Sequence, residues 1–67
     1  MAYKESIARE IRQLIKDAPE GNTEYCLEHY DQQDVADTVN SLHYEYPRLI
    51  QETDVYYTGT APIVIMK

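Results

Sequence analysis

The chain has 67 residues, with 12 Asp+Glu against 6 Lys+Arg, and a formal charge of −6. That length leaves room for one domain and little for a substrate pocket, since so short a chain buries only about 60% of its unfolded surface. The acidic balance argues against a simple basic nucleic-acid binder, whose affinity comes from neutralising phosphates.

The N-terminal stretch Met1-Ala2-Tyr3-Lys4-Glu5-Ser6-Ile7-Ala8-Arg9-Glu10 lacks the apolar block of a signal peptide. The longest apolar run, Ile63-Val64-Ile65-Met66, is far short of the roughly 20 residues of a membrane helix. Cys26 is the only cysteine, so no internal disulfide can form. These features predict a cytoplasmic protein with no membrane contact, folding as a single domain over residues 1–67. A chain of this size without covalent staples relies on an efficient core or on self-association, so a homodimer is one expected assembly.

Ile7, Ala8, Ile11, Leu14 and Ile15 form one apolar stripe at helical spacing, and Pro19 and Gly21 stop that helix at about Asp17. Arg9, Arg12 and Lys16 fall within roughly 60° of one another on its opposite side. Asn22 or Thr23 is placed to cap a second, short helix with Glu24 in its first turn, and Tyr25, Cys26, Leu27 and Tyr30 supply its apolar contacts. Asp31 reads as a fresh N-cap with Asp34 three residues on. Val35, Ala36, Val39, Leu42 and Tyr46 then predict a third helix, which Pro47 ends. Beyond it, Leu49-Ile50 could form a short strand. Val55-Tyr56-Tyr57-Thr58 and Ile63-Val64-Ile65-Met66 are rich in β-formers, and Gly59-Thr60-Ala61-Pro62 between them predicts a hairpin.

This order of helix, short helix, helix and hairpin, from about Glu5 to Lys67, resembles the winged helix-turn-helix family. Ala18-Pro19-Glu20-Gly21 resembles the turn after the first family helix, Asn22 to Tyr30 the positioning helix, Asp31 to Tyr46 the recognition helix, and Leu49-Ile50 through Ile65 the wing. The expected fold class is therefore α+β, winged-helix-like, with three helices followed by a C-terminal β-hairpin. The resemblance implies duplex DNA binding in transcription control. Gln32, Gln33, Asp37, Thr38, Asn40, Ser41 and Tyr44 would lie near the major groove, with Gln33, Asn40, Ser41 and Tyr44 the favoured contacts. Gln and Asn can read adenine edges. Arg48 would clamp a phosphate, and Tyr56, Thr58 and Thr60 would belong to the wing.

The charge layout departs from that family. Between Asp17 and Asp37 stand seven acids (Asp17, Glu20, Glu24, Glu28, Asp31, Asp34, Asp37) and no Lys or Arg. Carboxylates facing phosphates repel them instead of releasing counterions. Two readings follow. In one, DNA is held weakly through Arg9, Arg12, Lys16 and Arg48, with strong salt dependence. In the other, the chain is an acidic protein-binding module, an inhibitor or adaptor of a DNA-handling protein that imitates phosphates and does not bind DNA itself. Glu24, Glu28, Asp34, Asp37, Tyr56 and Tyr57 would then form the interface. The opposed charges of the first helix and of residues 17–37 also permit salt-sensitive pairing between protomers.

Other chemistry has little footing. Cys26-x-x-His29 with His43 lacks an evident fourth ligand for zinc, so no metal is expected and Cys26 reads as a small core residue of the short helix. No oxyanion loop accompanies a Cys26–His29 pair, and an enzyme is not expected. Gly21 and Gly59 are the only glycines, each at a turn, which excludes a Gly-rich phosphate loop; no cofactor is expected. Among the seven tyrosines, Tyr25, Tyr30 and Tyr46 fall on apolar faces, whereas Tyr3, Tyr44, Tyr56 and Tyr57 are hard to bury together.

Overall fold

A computed structural model describes residues 3–67. Its elements in chain order are α1 (Glu5–Asp17), β1 (Asn22–Tyr25), α2 (Gln32–Glu45) and β2 (Ile63–Met66). The apolar spacing of α1 turns Ile7, Ala8, Ile11 and Ile15 inward. Its C-terminal carbonyls are bound from the far end of the chain, where Lys67 Nζ donates to the carbonyls of Lys16 (3.2 Å) and Ala18 (2.9 Å). That contact satisfies acceptors that a helix end leaves open and places a cation where the macrodipole favours one.

The start of α2 is fixed by Asp31, whose Oδ1 accepts from the backbone N–H groups of Gln33 (3.0 Å) and Asp34 (3.2 Å). Val35, Ala36, Thr38, Val39 and Leu42 are buried along its inner stripe. The buried Thr38 hydroxyl donates to the Asp34 carbonyl (2.7 Å) and accepts the N–H of Lys4 (3.1 Å), tying the start of α1 to the middle of α2. Tyr46 leaves helical geometry ahead of Pro47.

The sheet is antiparallel, with β1 and β2 in the register Asn22↔Met66, Thr23↔Ile65, Glu24↔Val64 and Tyr25↔Ile63. On its other side β2 meets the segment after α2, where Ile50 bridges Ile65, Gln51 N–H donates to Val64 and Met66 N–H to Leu49. β2 thus lies between two neighbours. Ile50, Ile63 and Ile65 are completely buried and join the helical stripes in one core. Val64 and Met66, on the other face of β2, are half-buried.

The winged-helix expectation is corrected: the chain has two helices and a two-stranded antiparallel sheet, not three helices followed by a hairpin. Residues 22–25 form a strand where a short helix was expected. An isolated short helix is marginal, because its first turn fixes several dihedrals for one hydrogen bond. Pairing with the β-branched run of β2 gives Thr23 and Tyr25 a ladder and a half-buried face instead. Val55–Thr58 is not the partner of β2. A turn closes there, with Gly59 N–H donating to the Tyr56 carbonyl (2.8 Å) and Tyr56 N–H to that of Thr60 (3.0 Å). Val55 packs against the core from this loop. Because residue 26 follows the strand β1 rather than lining a helix, Cys26 is exposed and not a core residue.

Candidate functional site

One flank of α2 carries Gln32, Asn40 and His43, separated by the buried Ala36. All three side chains bind backbone of the connection between α2 and β2 or of the loop before α2. Asn40 Nδ2 donates to the Thr53 carbonyl (3.0 Å) while its Oδ1 accepts the Thr53 N–H (2.8 Å). Gln32 Oε1 accepts the N–H of Ala61 (3.0 Å), and its Nε2 donates to the carbonyls of Leu27 (2.8 Å) and Tyr30 (2.9 Å). His43 Nδ1 lies 2.8 Å from the Ile50 carbonyl, so that nitrogen carries the proton. The polar residues beside the apolar stripe of α2 are thereby used to hold residues 50–61 along the helix.

The other residues expected to read bases are placed differently. Gln33 is exposed and its Nε2 donates to Asp37 Oδ1 (3.1 Å). Ser41 is half-buried, and Tyr44 is 81% exposed. Among the expected phosphate contacts, Arg9 and Lys16 are exposed on α1, and Arg48 is exposed in the turn after α2. Arg12 is engaged on both sides, by Glu5 (3.2 Å) and by Glu45 (3.3 Å), and so links α1 to the end of α2.

The acids divide into paired and unpaired sets. Glu5 and Glu45 share Arg12, and Glu10 lies 3.3 Å from His29 Nε2 and accepts a hydrogen bond from the Tyr30 hydroxyl. The Tyr30 hydroxyl holds the Glu10 carboxyl below its ordinary range; burial opposes this and His29 reinforces it. The same bond, with burial, raises the Tyr30 phenol. By contrast, Glu20, Glu24 and Glu28 are exposed and have no ion pair among the described residues. They lie before, within and after β1. Asp34 and Asp37, the other acids expected at an interface, are half-buried on α2.

β1 also has an open edge. Gly21 and Lys67 exchange both backbone hydrogen bonds (2.9 and 3.0 Å). Alternation along an antiparallel pair then turns the backbone groups of Thr23 and Tyr25 toward β2 and those of Asn22 and Glu24 outward. Among the described residues, those outward groups have no hydrogen-bond partner. The edge has no local signature in the sequence, because it exists only once β1 pairs with β2.

Tyr56 is 55% exposed and Tyr57 fully so, both in the loop between α2 and β2. His29 is exposed and stacks at a tilt on Tyr30 (centroids 4.3 Å apart). Among the described residues there is no pocket, and no three His, Cys, Asp or Glu side chains are grouped to hold a metal ion. No helix among them is long and apolar enough to cross a membrane. A scan of protein-family models and searches of curated proteins and solved structures give no match to this chain.

Proposed function

We propose that this chain is a small acidic protein-binding domain that engages a basic surface of another protein and acts by binding rather than by catalysis. The observation that carries this reading is the set of exposed acids around β1. Glu20, Glu24 and Glu28 are unpaired, whereas Glu5, Glu10 and Glu45 are engaged by other side chains. Unpaired surface carboxylates leave their field available for steering a cationic partner. The competing DNA reading loses its positioning helix and its wing, since residues 22–25 form a strand and Val55–Thr58 runs into a turn instead of pairing with β2. Its Asn40 amide is occupied by Thr53, and its Arg12 by two carboxylates.

The test is a pair of NMR titrations at about 50 mM salt, where electrostatic binding is weakly screened. One uses polylysine and the other mixed-sequence duplex DNA. Amide shifts confined to residues 20–28 with polylysine, and none with duplex, are the expected result. Micromolar duplex binding with shifts on the Arg9, Lys16 and Arg48 surfaces would overturn the reading in favour of DNA.

A further inference from the structure

We propose, resting on that protein-binding reading, that β1 takes an extended basic segment of a protein partner as an added strand along its open edge. The edge offers the N–H and C=O of Asn22 and Glu24, which have no partner among the described residues. Peptides that add to a sheet edge draw affinity from such main-chain groups and specificity from alternate side chains. Between Asn22 and Cys26 the edge is not blocked by Pro, Lys or a bulge in its register with β2, and the one charge it carries is the carboxylate of Glu24. The strand is only four residues long, so main-chain bonds alone are few and charge has to contribute.

Charge selects the occupant. Asn22 and Glu24 stand on the outer face of the sheet, with Glu20 just before the strand and Glu28 shortly after it, all exposed. Thr23 and Tyr25 stand on the inner face and are half-buried. A segment alternating cationic and apolar residues matches both faces, its cations beside Glu24 and its apolar side chains beside Tyr25. A second copy of β1 does not match. Antiparallel self-pairing would bring two Glu24 side chains and two acidic flanks together, and like charges opposed across strands are destabilising.

The experiment uses blocked eight-residue peptides of alternating Lys and Val, titrated into the intact chain and followed by fluorescence anisotropy and amide shifts. A Glu–Val peptide is the charge control. Two further Lys–Val peptides carry N-methyl groups, one on every Lys and one on every Val. Only one set of amides of an added strand faces β1. One methylation pattern should therefore weaken binding at least about tenfold, the loss of two or more hydrogen bonds, and the other should be tolerated. Slowed exchange of the Asn22 and Glu24 amides should accompany binding, and the Glu–Val peptide should not bind. Equal behaviour of the two methylated peptides would overturn strand addition. If both still bind and shift residues 20–28, the acidic-surface reading survives alone. If neither the Lys–Val peptide nor polylysine binds, both readings fall. A concentration-dependent dimer that protects Asn22 and Glu24 without peptide would assign the edge to a second copy and overturn the proposal.

Discussion

Replacing Asn40 with Ala tests whether that side chain belongs to the fold or to a nucleic-acid surface. The amide makes two hydrogen bonds to one residue, donating to the Thr53 carbonyl at 3.0 Å and accepting its N–H at 2.8 Å, both partly buried. A neutral hydrogen bond contributes about 0.5–1.5 kcal/mol net, so the pair contributes about 1–3 kcal/mol. At about 4–8 °C per kcal/mol for a domain of this size, Tm should fall by about 4–24 °C. Asn40→Asp refines the test, because a carboxylate can still accept the Thr53 N–H but cannot donate to its carbonyl. It should therefore lose one bond and set an acceptor against an acceptor. Thermal unfolding by far-UV circular dichroism gives the stability, and hydrogen exchange of the Thr53 amide gives the local effect. Asn40→Ala should abolish the protection of that amide, and Asn40→Asp should preserve part of it. A Tm change below about 2 °C for Asn40→Ala, with Thr53 still protected, would refute the clasp and return Asn40 to the candidate DNA contacts.

Ile65→Ala, at the centre of the sheet with a side chain that is 0% exposed, should cost about 2–5 kcal/mol in urea unfolding. That is a large part of the roughly 3–10 kcal/mol expected for 67 residues, so a strongly lowered urea midpoint is the anticipated outcome. Gly21→Ala should cost about 1 kcal/mol through backbone strain alone, since φ is +97° and nothing lies within 4 Å of the added methyl; a neutral effect would refute the left-handed turn. The Glu10–Tyr30 bond predicts two opposed pH effects. Glu10 titrates below its ordinary value, so its contribution is present above the unfolded-state value and is lost as pH falls through the folded one. Tyr30 titrates above its ordinary value, so its contribution is complete below the unfolded-state value and is lost as pH rises through the folded one. Carboxylate NMR and phenolate absorbance should show both displacements, and Glu10→Gln should remove most of that at Tyr30.

How much of this could be read in advance follows from how local each determinant is. Both helices were legible, because Ile7, Ile11 and Ile15 repeat at helical spacing and Asp31 caps α2 through its own next turn. The ends set by Pro19 and Pro47 are local too. β1 was not legible, since Asn22–Tyr25 is a strand only by virtue of β2, which lies at the opposite end of the sequence. Hairpin logic favoured Val55–Thr58 as the partner because it is nearer. Gln32, Asn40 and His43 hold residues 50–61 against α2, and Val55 packs on the core from there. The spacing of those three residues beside the apolar stripe, with Ala36 between, was the available signal. At Gln32 and Asn40 the same polarity fits a groove-facing surface equally well, and at His43 the sequence carries no such implication. The unpaired acids were legible as a charge run, but their relation to an open strand edge was not.

The same topology explains why the acidic segment and the open edge coincide. β2, the most apolar segment of the chain, takes the central position of the sheet with Ile50 on one side and β1 on the other. The side bearing Ile50 is tied back to α2 by His43 and Asn40, which leaves β1 as the edge facing solvent. A short, open edge on a small domain invites self-pairing unless something opposes it, and a charged strand is one of the recurrent solutions. Glu20, Glu24 and Glu28 supply that opposition against a like-charged copy. The same three charges favour a strand of opposite sign. Repulsion between copies and attraction for a basic segment therefore have one physical source, and neutralising Glu24 should move both together. Glu24→Gln should weaken Lys–Val peptide binding and, at millimolar protein concentration, increase self-association measured by sedimentation. A loss of peptide affinity with no change in self-association would separate the two effects and show that charge does not guard the edge.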